Sequence, residues 1–174
     1  MDTRKTRAVS CALFAVLLMI PRLWALDTAS ARATLAGVPA VYVLVEDLSD
    51  ELKKTGLSEA ILQTDAELRL RAVGIRVATE TESFSVAGSP YLYLRVTGMA
   101  SDSRGGYRYG YVAYVEVALR QDVSLIRNPS THAVAETWTK GTLIAGPTVD
   151  VIRDAVRDMT DGFANAYLAA NPKR

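Results

Sequence analysis

Residues 91–97 are Tyr-Leu-Tyr-Leu-Arg-Val-Thr, so that Leu or Val occupies every second position. A β-strand sends successive side chains to opposite faces of its sheet, and this alternation therefore predicts a strand with one buried face. The alternation returns in residues 107–119, after a Gly-rich and Ser-rich link at 98–106. The two segments together predict an antiparallel pair at the centre of a sheet.

Further elements follow on both sides of this pair. β-branched and aromatic runs predict strands at 41–45, 75–78 and 133–143, and 79–89 is expected to be a loop. A short helical turn at 49–56 and longer helices at 58–73 and 148–171 have apolar stripes and polar caps. The sequence thus predicts one α+β domain over 38–171. Two main helices cover one face of a mixed, mostly antiparallel sheet, in the order strand, helix, four strands, helix.

The first 25 residues have the layout of a secretory signal peptide. Basic residues at 4, 5 and 7 precede an apolar run at 8–20, and Ala25 ends the segment. A retained membrane anchor is the alternative, but the run is shorter than the roughly 20 residues that span a bilayer. Cleavage after Ala31 or Ala33 is also open, and we expect 26–37 to be flexible. The predicted location is the periplasm or the exterior.

Composition narrows the classes of function. Cys11 is the only cysteine and lies inside the signal, so neither a lipid anchor nor a disulfide is expected in the mature chain. Removing the signal changes the formal net charge from +1 to −2, which gives no electrostatic case for nucleic acid or a stable membrane association. We also assign no catalytic, cofactor-binding or metal-ligating residue, because His132 is the only histidine.

Strand parity separates an apolar sheet face from an aromatic and charged one. The candidate interaction face holds residues with no predicted helix above them: Tyr42, Tyr91, Tyr93, Arg95, Tyr114 and Trp138. These side chains could simply stabilise a solvated face through cross-strand pairs. They could equally form a surface for a partner or a second copy, where Tyr, Trp and Arg are enriched.

Two charged groups allow further interpretations. Asp65 and Arg69 lie four residues apart between apolar strips of the long helix, which predicts a partly buried structural ion pair. Glu46 and Asp47 follow a strand end, where active sites often lie. A small-ligand carrier or an enzyme with a site there, near the link 98–106, is therefore the alternative to a binding module.

Several strings resemble a known group of proteins. Residues 62–75, Tyr91-Leu92-Tyr93 and residues 117–123 resemble an uncharacterised family of small exported bacterial proteins. At the level of fold, the order of elements is similar to envelope α/β domains of three kinds. They are the amino-terminal domain of the Tol-system propeller protein, the curli-secretion lipoprotein and the lipoprotein activators of peptidoglycan synthases. The resemblance implies an envelope location and no particular activity.

Together these features favour a non-catalytic periplasmic module that binds an envelope protein or itself. The first prediction is that the exported protein begins at Leu26, because Ala25 precedes the expected cut. Intact-mass measurement on protein recovered from the periplasm checks it. A product that retains Met1, or that carries lipid on Cys11, would contradict the signal assignment.

Overall fold

The computed structural model describes residues 27–102 and 108–172. Its helices are α1 (Ala29–Ala33), α2 (Asp50–Lys53), α3 (Glu59–Ala72), α4 (Glu80–Ser83) and α5 (Asp150–Ala170). Its strands are β1 (Tyr42–Val45), β2 (Tyr91–Asp102), β3 (Arg108–Leu125) and β4 (Asn128–Gly146). They form one sheet in the order β1-β2-β3-β4, in which only β1 and β2 run parallel. The predicted α+β class is confirmed. Residues 1–25, where we predict the signal, lie outside the described residues.

The predicted strand at 75–78 is reduced to a single parallel bridge between Val41 and Val77. It cannot extend, because Thr79 already caps α4: its hydroxyl accepts from the Glu82 amide, and the Glu82 carboxylate accepts from the Thr79 amide. This capping box turns part of the predicted loop at 79–89 into a short helix.

The hydrophobic core lies between one face of the sheet and the helices α3 and α5. Alternate residues of β1, β2 and β3 point into it, as the parity of the sequence predicts. Ser58 caps α3 by accepting from the Ile61 amide, which fixes where the helix begins above the sheet. The fully buried side chains include Val43, Leu92, Leu94, Val117, Leu119, Leu62, Leu70, Ile152 and Phe163.

A β-bulge in β4 overturns the prediction for Trp138. Leu119 pairs with Trp138, but the next residue of β3, Arg120, pairs with Glu136, so Thr137 is an extra residue. One extra residue reverses the side-chain parity of all that follows. Trp138 therefore lies on the helix side, fully buried, with its ring edge-on to Phe163 at a centroid distance of 5.3 Å. It is not part of the exposed face.

The segment expected to be flexible, 26–37, is packed against the domain over its described residues, 27–37. Leu35 is fully buried, and Asp27 accepts a hydrogen bond of 3.0 Å from the indole Nε1 of Trp138. Arg32 donates to both carboxylate oxygens of Asp27, and these hydrogen bonds, with the positive charge of Arg32, lower the pKa of that carboxyl. A buried tryptophan needs such an acceptor, and the sequence pattern had not indicated one.

Asp65 and Arg69 are both in structural ion pairs, but not with each other. Asp65 accepts two hydrogen bonds from Arg153 and also pairs with Arg157 at 3.2 Å. Arg69 instead pairs with Asp161 of α5. The intrahelical pair predicted from the i to i+4 spacing is therefore wrong, because α5 presents opposite charges that both side chains reach across the helix–helix interface.

The two pairs predict unequal stability losses. The Asp65 side chain is only 13% exposed, whereas Arg69 and Asp161 are 38% and 45% exposed. We expect Asp65→Ala to lower the free energy of unfolding by about 1–3 kcal/mol, since two arginines lose their partner. Arg69→Ala should cost less than about 1 kcal/mol. Urea unfolding of both variants tests the order, and a larger loss for Arg69→Ala would contradict it.

Candidate interaction face

The face of the sheet turned away from α3 and α5 holds the aromatic residues that the sequence predicted. Tyr42 lies beside Tyr91 in the β1–β2 register, and Tyr114 lies on β3. Each of these three is half-buried. We define the aromatic face by the residues Tyr42, Tyr91, Tyr93, Arg95, Tyr114, Glu116, Arg120 and Glu136. The structure thus brings five of the six predicted site residues onto one face, and Trp138 is the exception.

A buried carboxylate organises the centre of this face. Glu116, whose side chain is 9% exposed, accepts hydrogen bonds of 3.0 and 3.1 Å from Arg95, its cross-strand partner. The Tyr114 hydroxyl donates to the same carboxylate at 3.0 Å. Burial and this contact with Glu116 raise the pKa of Tyr114. The guanidinium and the phenol are therefore held in fixed positions on the sheet.

A second group lies beside the first. The Arg120 guanidinium is stacked over the Tyr93 ring at 3.7 Å from its centroid and approaches Glu136 at 3.7 Å. Burial raises the pKa of Tyr93, and the nearby Glu46 carboxylate raises it further. Glu46, proposed above as part of an alternative site, thus lies beside the aromatic face.

Gly141 is a position of the candidate face that the sequence reasoning missed. It lies on β4 opposite Glu116, and a Cβ there would collide with the Tyr114 hydroxyl and ring. Glycine therefore allows Tyr114 to lie flat across the neighbouring strand. Only the register identifies this contact, although a glycine inside a strand is itself a signal of close approach.

Charges of both signs are paired within the aromatic face, and exposed apolar side chains lie on the same side of the sheet. Leu143 is 72% exposed and Met99 is 64% exposed, while Leu44 and Val112 are less so. Ala118 and Thr139 are buried on this side although α3 and α5 pack on the other face. This side of the sheet therefore combines the aromatic face with exposed apolar side chains. We call these the apolar margin: Leu44, Met99, Val112 and Leu143.

The alternative site at the strand end has a simpler geometry. Glu46 and Asp47 are exposed, and residues 103–107 of the link 98–106 fall outside the described residues. Within the described ranges, no cluster of three or more His, Cys, Asp or Glu residues is arranged to hold a metal ion. His132 is exposed on β4. None of the helices in the part of the chain that the structure describes is long and apolar enough to span a membrane.

The comparisons with known proteins give structural neighbours only. No protein-family model and no curated protein sequence matches this chain. A PelC variant from Paraburkholderia phytofirmans, crystallised as a dodecamer, is 17% identical over 76% of this chain and 90% of its own, with a TM-score of 0.45. Another PelC dodecamer crystal from that organism is 16% identical over 78% and 92%, with a TM-score of 0.42.

A third neighbour is named as a lipoprotein. Rare lipoprotein B from Shewanella oneidensis is 17% identical over 74% of this chain and 92% of its own, with a TM-score of 0.26. Identities and TM-scores this low carry no function from any of the three proteins to this chain.

The Glu116 cluster yields a stability prediction. Arg95→Ala should lower the free energy of unfolding by about 2–3 kcal/mol, because it leaves a buried carboxylate without its main partner. Arg76→Ala is the matched control, since Arg76 and Glu82 form an exposed pair at 3.7 Å. It should cost less than about 0.5 kcal/mol. Equal losses in denaturant unfolding would contradict a buried, Arg95-dependent Glu116.

Proposed function

We propose that this protein is an exported, non-catalytic interaction module of the bacterial envelope. It binds through the aromatic face, either to an envelope protein or to a second copy of itself. The signal-like segment at 1–25 supports export. No nucleic acid and no membrane anchor forms part of the proposal.

The observation that carries the proposal is the fixed aromatic face on the side of the sheet opposite α3 and α5. Four tyrosines and two arginines occur there, and these residue types dominate the energetic centres of protein interfaces. Two hydrogen bonds to Glu116 hold Arg95 in place, and stacking on the Tyr93 ring holds Arg120, so little side-chain entropy remains to be lost on binding. The side chains of this surface are therefore already ordered before a partner binds.

The competing account is a solvated face whose pairs only stabilise the sheet. Pairs such as Arg95 with Glu116 do contribute to stability, but they leave the apolar margin unexplained. Leu143 lies opposite Tyr114 in the β3–β4 register and is largely exposed. An apolar side chain beside a tyrosine on a flat surface favours burial against another molecule.

The proposal predicts that removing two aromatic rings weakens association. The double variant Tyr93→Ser with Tyr114→Ser removes contact area from the centre of the face and leaves the helix-side core intact. We expect at least a tenfold loss in self-association, measured by light scattering across a concentration series, or in partner capture from periplasmic extract. A loss of about 1.4 kcal/mol corresponds to that factor.

Leu68→Ser is the matched control, because Leu68 is a 59% exposed apolar residue on α3, on the other side of the domain. Circular dichroism must show that both variants are folded. Association that is lost equally in the control and the double variant would contradict the proposed face. Unchanged association in a folded double variant would do the same and would favour the solvated-face account.

A further inference from the structure

A groove of about 280 Å³ lies at one end of the open sheet face, where all four strands meet the loop after α4. Tyr42 and Tyr91 are neighbours in the β1–β2 register, and Phe84 follows α4. We call this cavity the Phe84 groove. Its lining residues are Tyr42, Leu44, Glu80, Ser83, Phe84, Ser89, Tyr91, Asp122 and Val134.

The wall of the Phe84 groove is held in place by several hydrogen bonds. The capping box at Thr79 fixes the start of α4, and the buried Ser83 hydroxyl donates to the Glu80 carbonyl. The Asp122 amide donates to the Gly88 carbonyl at 2.8 Å, which joins the loop to β3. The Tyr42 amide donates to the Pro90 carbonyl and joins the loop to β1. The groove is therefore already formed without a ligand.

Exposed apolar side chains meet at this groove. Phe84 is 75% exposed and Val134 is 57% exposed, although they belong to a loop and a strand far apart in the sequence. The rings of Phe84, Tyr42 and Tyr91 place three aromatic side chains around one small cavity. Such a lining favours an apolar group or an organic cation, because the faces of aromatic rings carry partial negative charge.

The charges around the groove favour an organic cation over an apolar group. Glu80 and Asp122 are the charged residues of its lining, and both are acidic. Over residues 27–102 and 108–172, neither carboxylate has an ion-pair partner, whereas Glu82 of the same helix pairs with Arg76. Burial and the negative charges of Glu80 and Glu67 raise the pKa of Tyr42, which agrees with a negative potential here. An uncompensated negative charge beside aromatic rings complements a positive ligand.

We infer that the Phe84 groove binds an organic ammonium group, which lies against Phe84, Tyr42 and Tyr91 with Glu80 and Asp122 as counter-charges. Its volume accommodates a group of a few carbon atoms. Inorganic cations are not the expected ligands, because they prefer several converging oxygen ligands to aromatic walls. The inference does not rest on the proposed function, since a ligand can occupy the groove whether or not the aromatic face binds a protein.

The test compares a cation with its neutral counterpart of the same shape. Choline and 3,3-dimethylbutan-1-ol are titrated separately into the folded protein, and the ring signals of Phe84, Tyr42 and Tyr91 are followed by NMR. We expect choline to bind about two- to thirtyfold more tightly, which is the range of cation–π and counter-charge effects. Equal binding of the two compounds, or no response of these rings to either, would overturn the inference.

Two further compounds identify the source of the ammonium group. Nα-acetyl-lysine amide carries it as a protein side chain would, and Nα-acetyl-norleucine amide is its neutral counterpart. A preference for choline indicates a free quaternary ammonium, and a preference for the lysine derivative indicates a basic protein segment. Either result supports the shared chemistry, whereas equal binding of the lysine and norleucine derivatives contradicts it for a protein source.

Variants separate the groove from the rest of the surface. Phe84→Ala and Glu80→Gln should each weaken choline binding about two- to thirtyfold. The controls are Leu68→Ala, which removes an exposed apolar side chain of α3 on the other side of the domain, and Asp158→Asn, which removes an exposed carboxylate on α5. Both should bind choline as the parent does. Loss of binding in the controls but not in the groove variants would overturn the assignment. Failure of the proposed function would appear only in the association assay.

Discussion

The packing of α5 against the β3–β4 pair is the constraint on which the rest of the structure depends. Phe163 contacts Trp138 edge to face, and Ile152 and Val156 are fully buried in the same layer. Trp138 can reach this layer only because the bulge at Thr137 turns it away from the open face. Its indole then requires an acceptor, which Asp27 provides, and this bond ties the start of the described chain to the sheet.

Two carboxylates of low exposure, Asp65 and Glu116, lie on opposite sides of the sheet. Asp65 joins α3 to α5 through Arg153 and Arg157, while Glu116 joins Arg95 and Tyr114 on the open face. In both places the arginines remain partly exposed, so the carboxylate is satisfied without complete removal of its partners from water. The first fixes how the helices lie against each other. The second fixes the side chains that the protein offers to its surroundings.

The open face therefore combines order with exposure. Its centre is a paired network, and its margin holds exposed apolar side chains. One end opens into the Phe84 groove, whose two carboxylates have no ion-pair partner among the described residues. An interaction module needs such a rigid surface, because binding then orders few additional groups. The groove adds chemical selectivity that the flat part of the face lacks, since its aromatic rings and carboxylates favour positive charge.

Sequence alone determined the fold class, because the alternation of apolar residues in 91–97 and 107–119 already separates a buried face from an exposed one. It also determined that Tyr42, Tyr91, Tyr93, Arg95 and Tyr114 share a face, since each lies in a strand of regular parity. Tertiary structure decided the position of Trp138, because a single bulged residue reverses the side-chain parity and no local sequence pattern indicates the bulge. It likewise decided the partners of Asp65 and Arg69, and it formed the Phe84 groove. Those contacts join elements far apart in the chain, and only packing brings such elements together.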